Sequence, residues 1–158
     1  MRDESEIRMR KLLRTHAPAA VVIIRLMVGA VFISEGSQKF LFPAEVGAGR
    51  FEKIGFPRSE IVAPFVGCFE IGCGALVMVG LLTRVAVVPL IVVMVTAIAT
   101  TKLPILMQQG FWKMAHEART DWAMLLSCVF LLVVGGGAWS ADTLWTRNRT
   151  PNQESHGV

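Results

Sequence analysis

Four long apolar stretches, parted by short polar connections, constrain this chain more than any other feature of its sequence. They run roughly over residues 18–42, 61–82, 84–106 and 117–139. A helix crossing a bilayer needs about 20 mostly apolar residues, and each stretch meets that length. Hydrophobic residues make up 53% of the chain and charged residues 18%. Soluble domains carry about a quarter charged residues, and here the charges crowd the ends and the connections. The expected fold is all-α: one four-helix transmembrane bundle.

Three segments follow: a basic N-terminal stretch at 1–17, a membrane domain at 18–142 and a polar tail at 143–158, with disorder expected over its last eight or so residues. The first apolar run is too long for a signal peptide and contains Arg25, so it is expected to remain as an anchor. Pro18 suits a first helical turn. Pro89 falls in the early turns of the third run, where a lost hydrogen bond costs least. Gly47, Gly49, Gly55 and Pro57 break regular structure in the first connection, leaving room for a short interfacial helix near Arg50–Ile54. The Thr83–Arg84 turn leaves almost no loop, which makes the second and third runs antiparallel neighbours.

Four crossings place both termini on one side. The N-terminal stretch, Arg84 and the tail carry eight Lys/Arg, against Arg50, Lys53, Arg58 and Lys113 in the opposite connections. Cytoplasmic loops carry the excess of basic residues, so both termini are expected in the cytoplasm. Trp112 and Trp122 then fit the outer interface, and Trp139 and Trp145 the inner one.

The net charge of +4 follows from that topology. No stretch alternates basic and aromatic residues as a nucleic-acid platform would, so no nucleic-acid partner is expected. Cys68, Cys73 and Cys128 lie inside apolar runs without a CxxC or a Cys/His ligand set. They read as packing residues, and no metal is expected.

Charged groups inside the runs carry the functional signal. One near the bilayer centre costs about 2.5–3.5 kcal/mol on insertion scales, so such groups should face each other. At about 100° per residue, Arg25, Gly29, Glu35, Gly36 and Lys39 share roughly a 120° arc. Glu70 shares a face with Ala63, Gly67 and Gly74, small residues that let helices approach closely. Glu117, Asp121, Cys128, Gly135 and Asp142 fall on one face if the fourth helix is regular throughout. Depth sorts the groups into two layers. Arg25, Arg84 and Asp142 form an expected cytoplasmic charge lock, with Asp142 pairing Arg84 or Arg25. Glu35, Lys39, Glu70, Glu117 and Asp121 form an expected ligand-binding polar pocket in the outer half, with Lys39 pairing Glu70 or Glu35. Lys102, His116 and Arg119 read as interfacial. A carboxyl buried at Glu70 could exchange protons or hydrogen-bond a carbonyl such as a quinone's.

The series Arg25-Leu26-x-x-Gly29-x-x-Phe32-x-x-x-Gly36-x-x-Lys39-Phe40 resembles the opening of DoxX family proteins. The likeness continues through Gly55-Phe56-Pro57, Glu70-x-x-x-Gly74, Gly80-Leu81-Leu82-Thr83-Arg84 and Gly136-Gly137-x-Trp139-Ser140-x-Asp142. It implies a four-helix, multi-pass protein of the bacterial inner membrane. It also implies a link to quinone reduction in thiol or sulfur oxidation, or partnership with soluble oxidative-stress enzymes. No catalytic residue is assigned, and the chain offers no haem-ligand pair or flavin motif, so electrons would come from a borrowed carrier. Three functions are compatible with these residues. One is a quinone-interacting or accessory subunit of a membrane oxidoreductase. Another is a non-catalytic scaffold or assembly factor docking a soluble redox enzyme. The third is a small-solute or proton transporter, with homo-oligomerisation building the path.

Overall fold

A computed structural model describes residues 19–148. The basic stretch at 1–17 and the end of the tail lie outside the described residues. Within them the chain is helical, with no strand. The helices are α1 (Val21–Leu41), α2 (Ala48–Lys53), α3 (Ser59–Val79), α4 (Thr83–Ala97), α5 (Leu103–Gln109), α6 (Phe111–Val134) and α7 (Ala141–Asn148). A π-helical segment, Ile98–Lys102, joins α4 to α5 in one 27-residue rod.

Three helices have the length and apolarity to cross a membrane: α1, α3 and the rod from Thr83 to Gln109. The fourth long helix, α6, is more polar, because Lys113, His116, Glu117, Arg119 and Asp121 occupy its first half. Apolar side chains such as Ile23, Phe65, Val85, Leu126 and Val133 face outward. A water-soluble protein would bury that much apolar surface, whereas a membrane protein presents it to acyl chains.

Packing follows the small residues. The helices α1 and α3 run antiparallel, with Gly29 against Gly74 and Gly36 against Gly67. A Cβ on Gly29 would lie 2.7 Å from the Gly74 carbonyl oxygen, and one on Gly36 would lie 2.7 Å from that of Gly67. Both obstacles are backbone, so only glycine permits this approach. Without a hydrophobic force between helices in lipid, such close van der Waals contact is what holds them. Two further pairs, α3 with α4 and α4 with α6, extend the assembly, α1 also touches α6, and α2 lies against α3. Val28, Phe32, Val77, Val87, Leu90, Met94, Met124, Cys128 and Leu131 fill the centre. Cys128 is fully buried there, while Cys68 is exposed on the outer surface.

Two local features depart from the sequence-based expectation and one agrees with it. The fourth long helix begins at Phe111 and stops at Val134, because Gly135 and Gly137 adopt φ of 87° and 80°. The expected face linking Glu117 to Asp142 therefore does not exist: the chain turns before Asp142 and restarts as α7. The third rod is interrupted by the π-helical segment. The interfacial helix of the first connection is present, at Ala48–Lys53.

Candidate functional site

Polar side chains gather at the two ends of the helices, and the two gatherings differ in chemistry. At the first end, α3 and α6 finish, and α1, α4 and α7 begin. The last carbonyls of a helix lack partners within it. Arg25, 2% exposed, supplies donors to two of them at the end of α3 and to two carbonyls of the turn between α6 and α7. Its Nε donates to Val77 O at 3.0 Å. Its terminal nitrogens donate to Met78 O at 2.9 Å, Gly136 O at 2.8 Å and Trp139 O at 2.7 Å. A guanidinium carries five donors in a fixed fork, and its charge complements the negative ends of helices.

Asp142 satisfies the opposite need. Its carboxylate accepts from the backbone N–H of Leu82 at 2.8 Å and of Thr83 at 3.2 Å, at the start of α4. Its own N–H donates to Gly80 O at 3.0 Å. Gly80, at φ 78°, ends α3 in the left-handed conformation that glycine adopts without strain. A Cβ there would meet the Arg25 guanidinium and Ser140. Ser140 caps α7, accepting from Thr143 N at 3.2 Å.

Of the expected charge lock, Arg25 and Asp142 lie close enough for the Asp142 charge to act on the guanidinium. Asp142 forms no ion pair with either arginine among the described residues. Arg84 instead donates to Val133 O at 3.0 Å. Several helix ends meet here, and their backbone groups take the hydrogen bonds of both Arg25 and Asp142. Most of the hydrogen bonds made by Arg25 and Asp142 here go to backbone, which makes the knot a structural one.

At the other end the helices part around a cavity of about 510 Å³. Glu35, Lys39, Glu70, Glu117 and Asp121 all line it, together with Arg50 and Lys102. Lys39 Nζ stands 2.6 Å from Glu70 Oε2, and their side chains are 8% and 4% exposed. Lys39 also donates to the Glu35 backbone oxygen at 3.3 Å, and not to that residue's carboxylate. Glu35 is exposed at the cavity edge rather than packed between helices. Lys102 Nζ pairs with Asp121 Oδ2 at 3.2 Å. Lys102 thus turns inward to the cavity, with 14% of its side chain exposed. Glu117 stands on an exposed stretch of α6 and pairs with Lys113 at 3.2 Å. His116 and Arg119 are exposed and hydrogen-bonded to each other.

Sequence reasoning missed Arg50 and the hydroxyls of Thr96, Thr100, Thr101 and Thr120, which also line the cavity. Arg50 comes from α2, whose placement over the cavity depends on tertiary packing. Thr100 and Thr101 come from the π-helical segment, which alters the register that helical angles assume. The remaining lining is apolar, including Val31, Phe32, Phe51, Ile54, Val66 and Met124. Among the described residues no group of three or more His, Cys, Asp or Glu is placed to hold a metal ion.

Comparisons with known proteins agree with this architecture. The family model described as DoxX matches residues 20–103. The uncharacterized membrane protein Rv3486 of Mycobacterium tuberculosis (strain ATCC 25618 / H37Rv) is 51% identical over 146 residues, spanning 89% of this chain and 90% of the relative. No solved structure matches. With a family model matching more than half its length and a relative of such high identity, this chain belongs to the DoxX family of membrane proteins.

Proposed function

We propose that the chain crosses a bacterial inner membrane four times, with both termini in the cytoplasm, and that its internal cavity binds the head of a quinone in the service of a membrane redox system. The observation that carries this reading is the Lys39–Glu70 pair, held at 2.6 Å inside helices of apolar exterior. Ionisable groups in hydrocarbon are costly and are retained mostly where they act. Many ligand sites combine apolar walls with a few placed polar groups, and this cavity has that mixture.

The fit to a quinone rests on the donor set. Carbonyl oxygens need N–H or O–H donors, and Lys39, Arg50, Lys102 and the hydroxyls of Thr96 and Thr120 provide them along the wall. The flat ring needs apolar sides, and Phe32, Phe51 and Met124 offer them. A bound quinone supplies two-electron, two-proton redox chemistry. The chain's own residues would orient the head and exclude bulk water from it, with the Lys39–Glu70 and Lys102–Asp121 pairs beside it. The role in this reading is an accessory one, with a partner enzyme delivering electrons.

Counting α6 as the fourth crossing follows from its 24 residues, which give about 36 Å at 1.5 Å per residue. Its polar first half faces the cavity through Glu117, Thr120 and Asp121.

The test is direct. The full-length protein, purified in mild detergent, is assayed for co-purified quinone by mass spectrometry and for equilibrium binding of a tail-less naphthoquinone. Binding that weakens in Glu70→Gln and Lys39→Met supports the reading. No bound quinone, together with normal quinone-dependent electron transfer in Glu70→Gln membranes, would overturn it.

A further inference from the structure

We propose that the seam between the α4–α5 rod and α6 is a lateral portal, and that the groove outside it holds the hydrocarbon tail of the ligand whose head occupies the cavity. The proposal rests on the reading of the cavity as a head-group site. It adds where the ligand enters and which residues hold its tail.

A second recess, of about 380 Å³, lies on the opposite face of the same two helices. Ile98, Ala99, Leu106, Trp122 and Leu125 line it, and Lys102 is its charged residue. Lys102 also lines the internal cavity. Its side chain is therefore the wall common to both spaces. The aliphatic stem can border the apolar groove while the ammonium turns inward to Asp121 at 3.2 Å, as long cationic side chains commonly divide their two characters.

The backbone is altered at the same point. Residues Ile98–Lys102 are π-helical, a form found mostly as short interruptions at functional sites. Thr101 Oγ1 donates to Ala97 O at 2.6 Å and Thr100 Oγ1 to Thr96 O at 2.8 Å. These hydroxyl bonds help satisfy carbonyls where the usual helical register is lost. The Lys102–Asp121 pair that bridges the seam is also less covered than Lys39–Glu70, at 14% and 24% exposed against 8% and 4%. The seam thus has an apolar approach from the lipid side, a polar interior and a thin partition between them. A molecule with an isoprenoid or alkyl tail and a carbonyl head has the matching polarity.

The experiment uses full-length protein in lipid nanodiscs and a naphthoquinone whose alkyl tail ends in a photoreactive diazirine. Labelling is expected to concentrate on the peptides containing Ile98–Leu106 and Trp122–Leu125. The tail-less naphthoquinone should suppress it, because the head anchors the tail. Ala99→Trp fills the groove away from the ion pair and should lower labelling there by about tenfold, while tail-less head binding stays within about twofold. Lys102→Met keeps the groove but removes the head-side charge, and should weaken tail-less binding too. Labelling spread evenly over outward residues such as Ile23 and Val85, or groove labelling that the tail-less head does not suppress, would overturn the portal while leaving the cavity reading intact. Failure of the tail-less head to bind wild-type protein would overturn both.

Discussion

Removing one member of the Lys39–Glu70 pair should be far more harmful than removing both. The two side chains are almost fully covered and stand 2.6 Å apart. Breaking a buried pair by deleting one partner typically costs about 3–5 kcal/mol, because the remaining charge is left without compensation. Here the cavity alongside can admit some water, which places the expected cost near the lower end, at about 3 kcal/mol for Lys39→Met or Glu70→Leu. Replacing both with apolar residues removes the uncompensated charge, and such replacements are often close to neutral. The double variant should therefore cost no more than either single one, a coupling of about 3 kcal/mol or more. Reversible unfolding in mixed micelles, followed by circular dichroism, measures all four corners of the cycle. Additive effects, with a coupling below about 0.5 kcal/mol, would refute the argument that the two charges hold each other in place. Ligand binding separates function from stability: the double variant should fold well and still lose quinone binding.

Other perturbations address the rest of the architecture. Arg25→Leu removes the donors to four carbonyls, two at the end of α3 and two in the turn after α6, and should cost about 3–5 kcal/mol, whereas Arg84→Leu, which loses one exposed bond, should cost about 1 kcal/mol or less; micelle unfolding compares them. Asp142→Ala should destabilise by about 1–3 kcal/mol through its two lost cap bonds, and Asp142→Asn should recover part of that, again read by unfolding. Gly36→Leu should drive α1 from α3, because the new Cβ would meet the Gly67 carbonyl oxygen at 2.7 Å; the expected penalty is about 1–3 kcal/mol, with a lower yield of folded protein in detergent.

The helices and their inward faces were legible because glycine and charge mark them strongly. Gly29, Gly36, Gly67 and Gly74 recur on the faces that meet, and Glu70 and Lys39 share those faces. Angular position is a good guide inside a regular helix, which is why the sequence could group Glu35, Lys39, Glu70 and Asp121. It fails where helices end or change register. Asp142 could not be assigned to the start of α4 from its angle, because Gly135 and Gly137 break the helix before it. Arg25 gave a charge and a depth, but a sequence does not reveal that the ends of α3 and α6 converge on it. The inward turn of Lys102 toward Asp121 was not legible, because Lys102 belongs to the π-helical segment, where helical angles no longer apply. Arg50 was invisible as a cavity residue, since the fold of the loop over the cavity is a tertiary fact. The helix α7, Ala141–Asn148, lay hidden in a polar tail until its Ser140 cap was seen.

Two adjacent residues of α3 offer the sharpest test of an internal, water-reachable cavity in a membrane protein. Val66 lines the cavity, while its neighbour Phe65 is 62% exposed on the outer face. In reconstituted vesicles, with the three native cysteines replaced by alanine, a small water-soluble methanethiosulfonate is reacted with Val66→Cys and with Phe65→Cys. A thiol must ionise to react, and it does not ionise against acyl chains. The account predicts rapid modification at position 66, slowed by quinone, and almost none at position 65. Equal rates at the two positions, or faster reaction at 65, would contradict it.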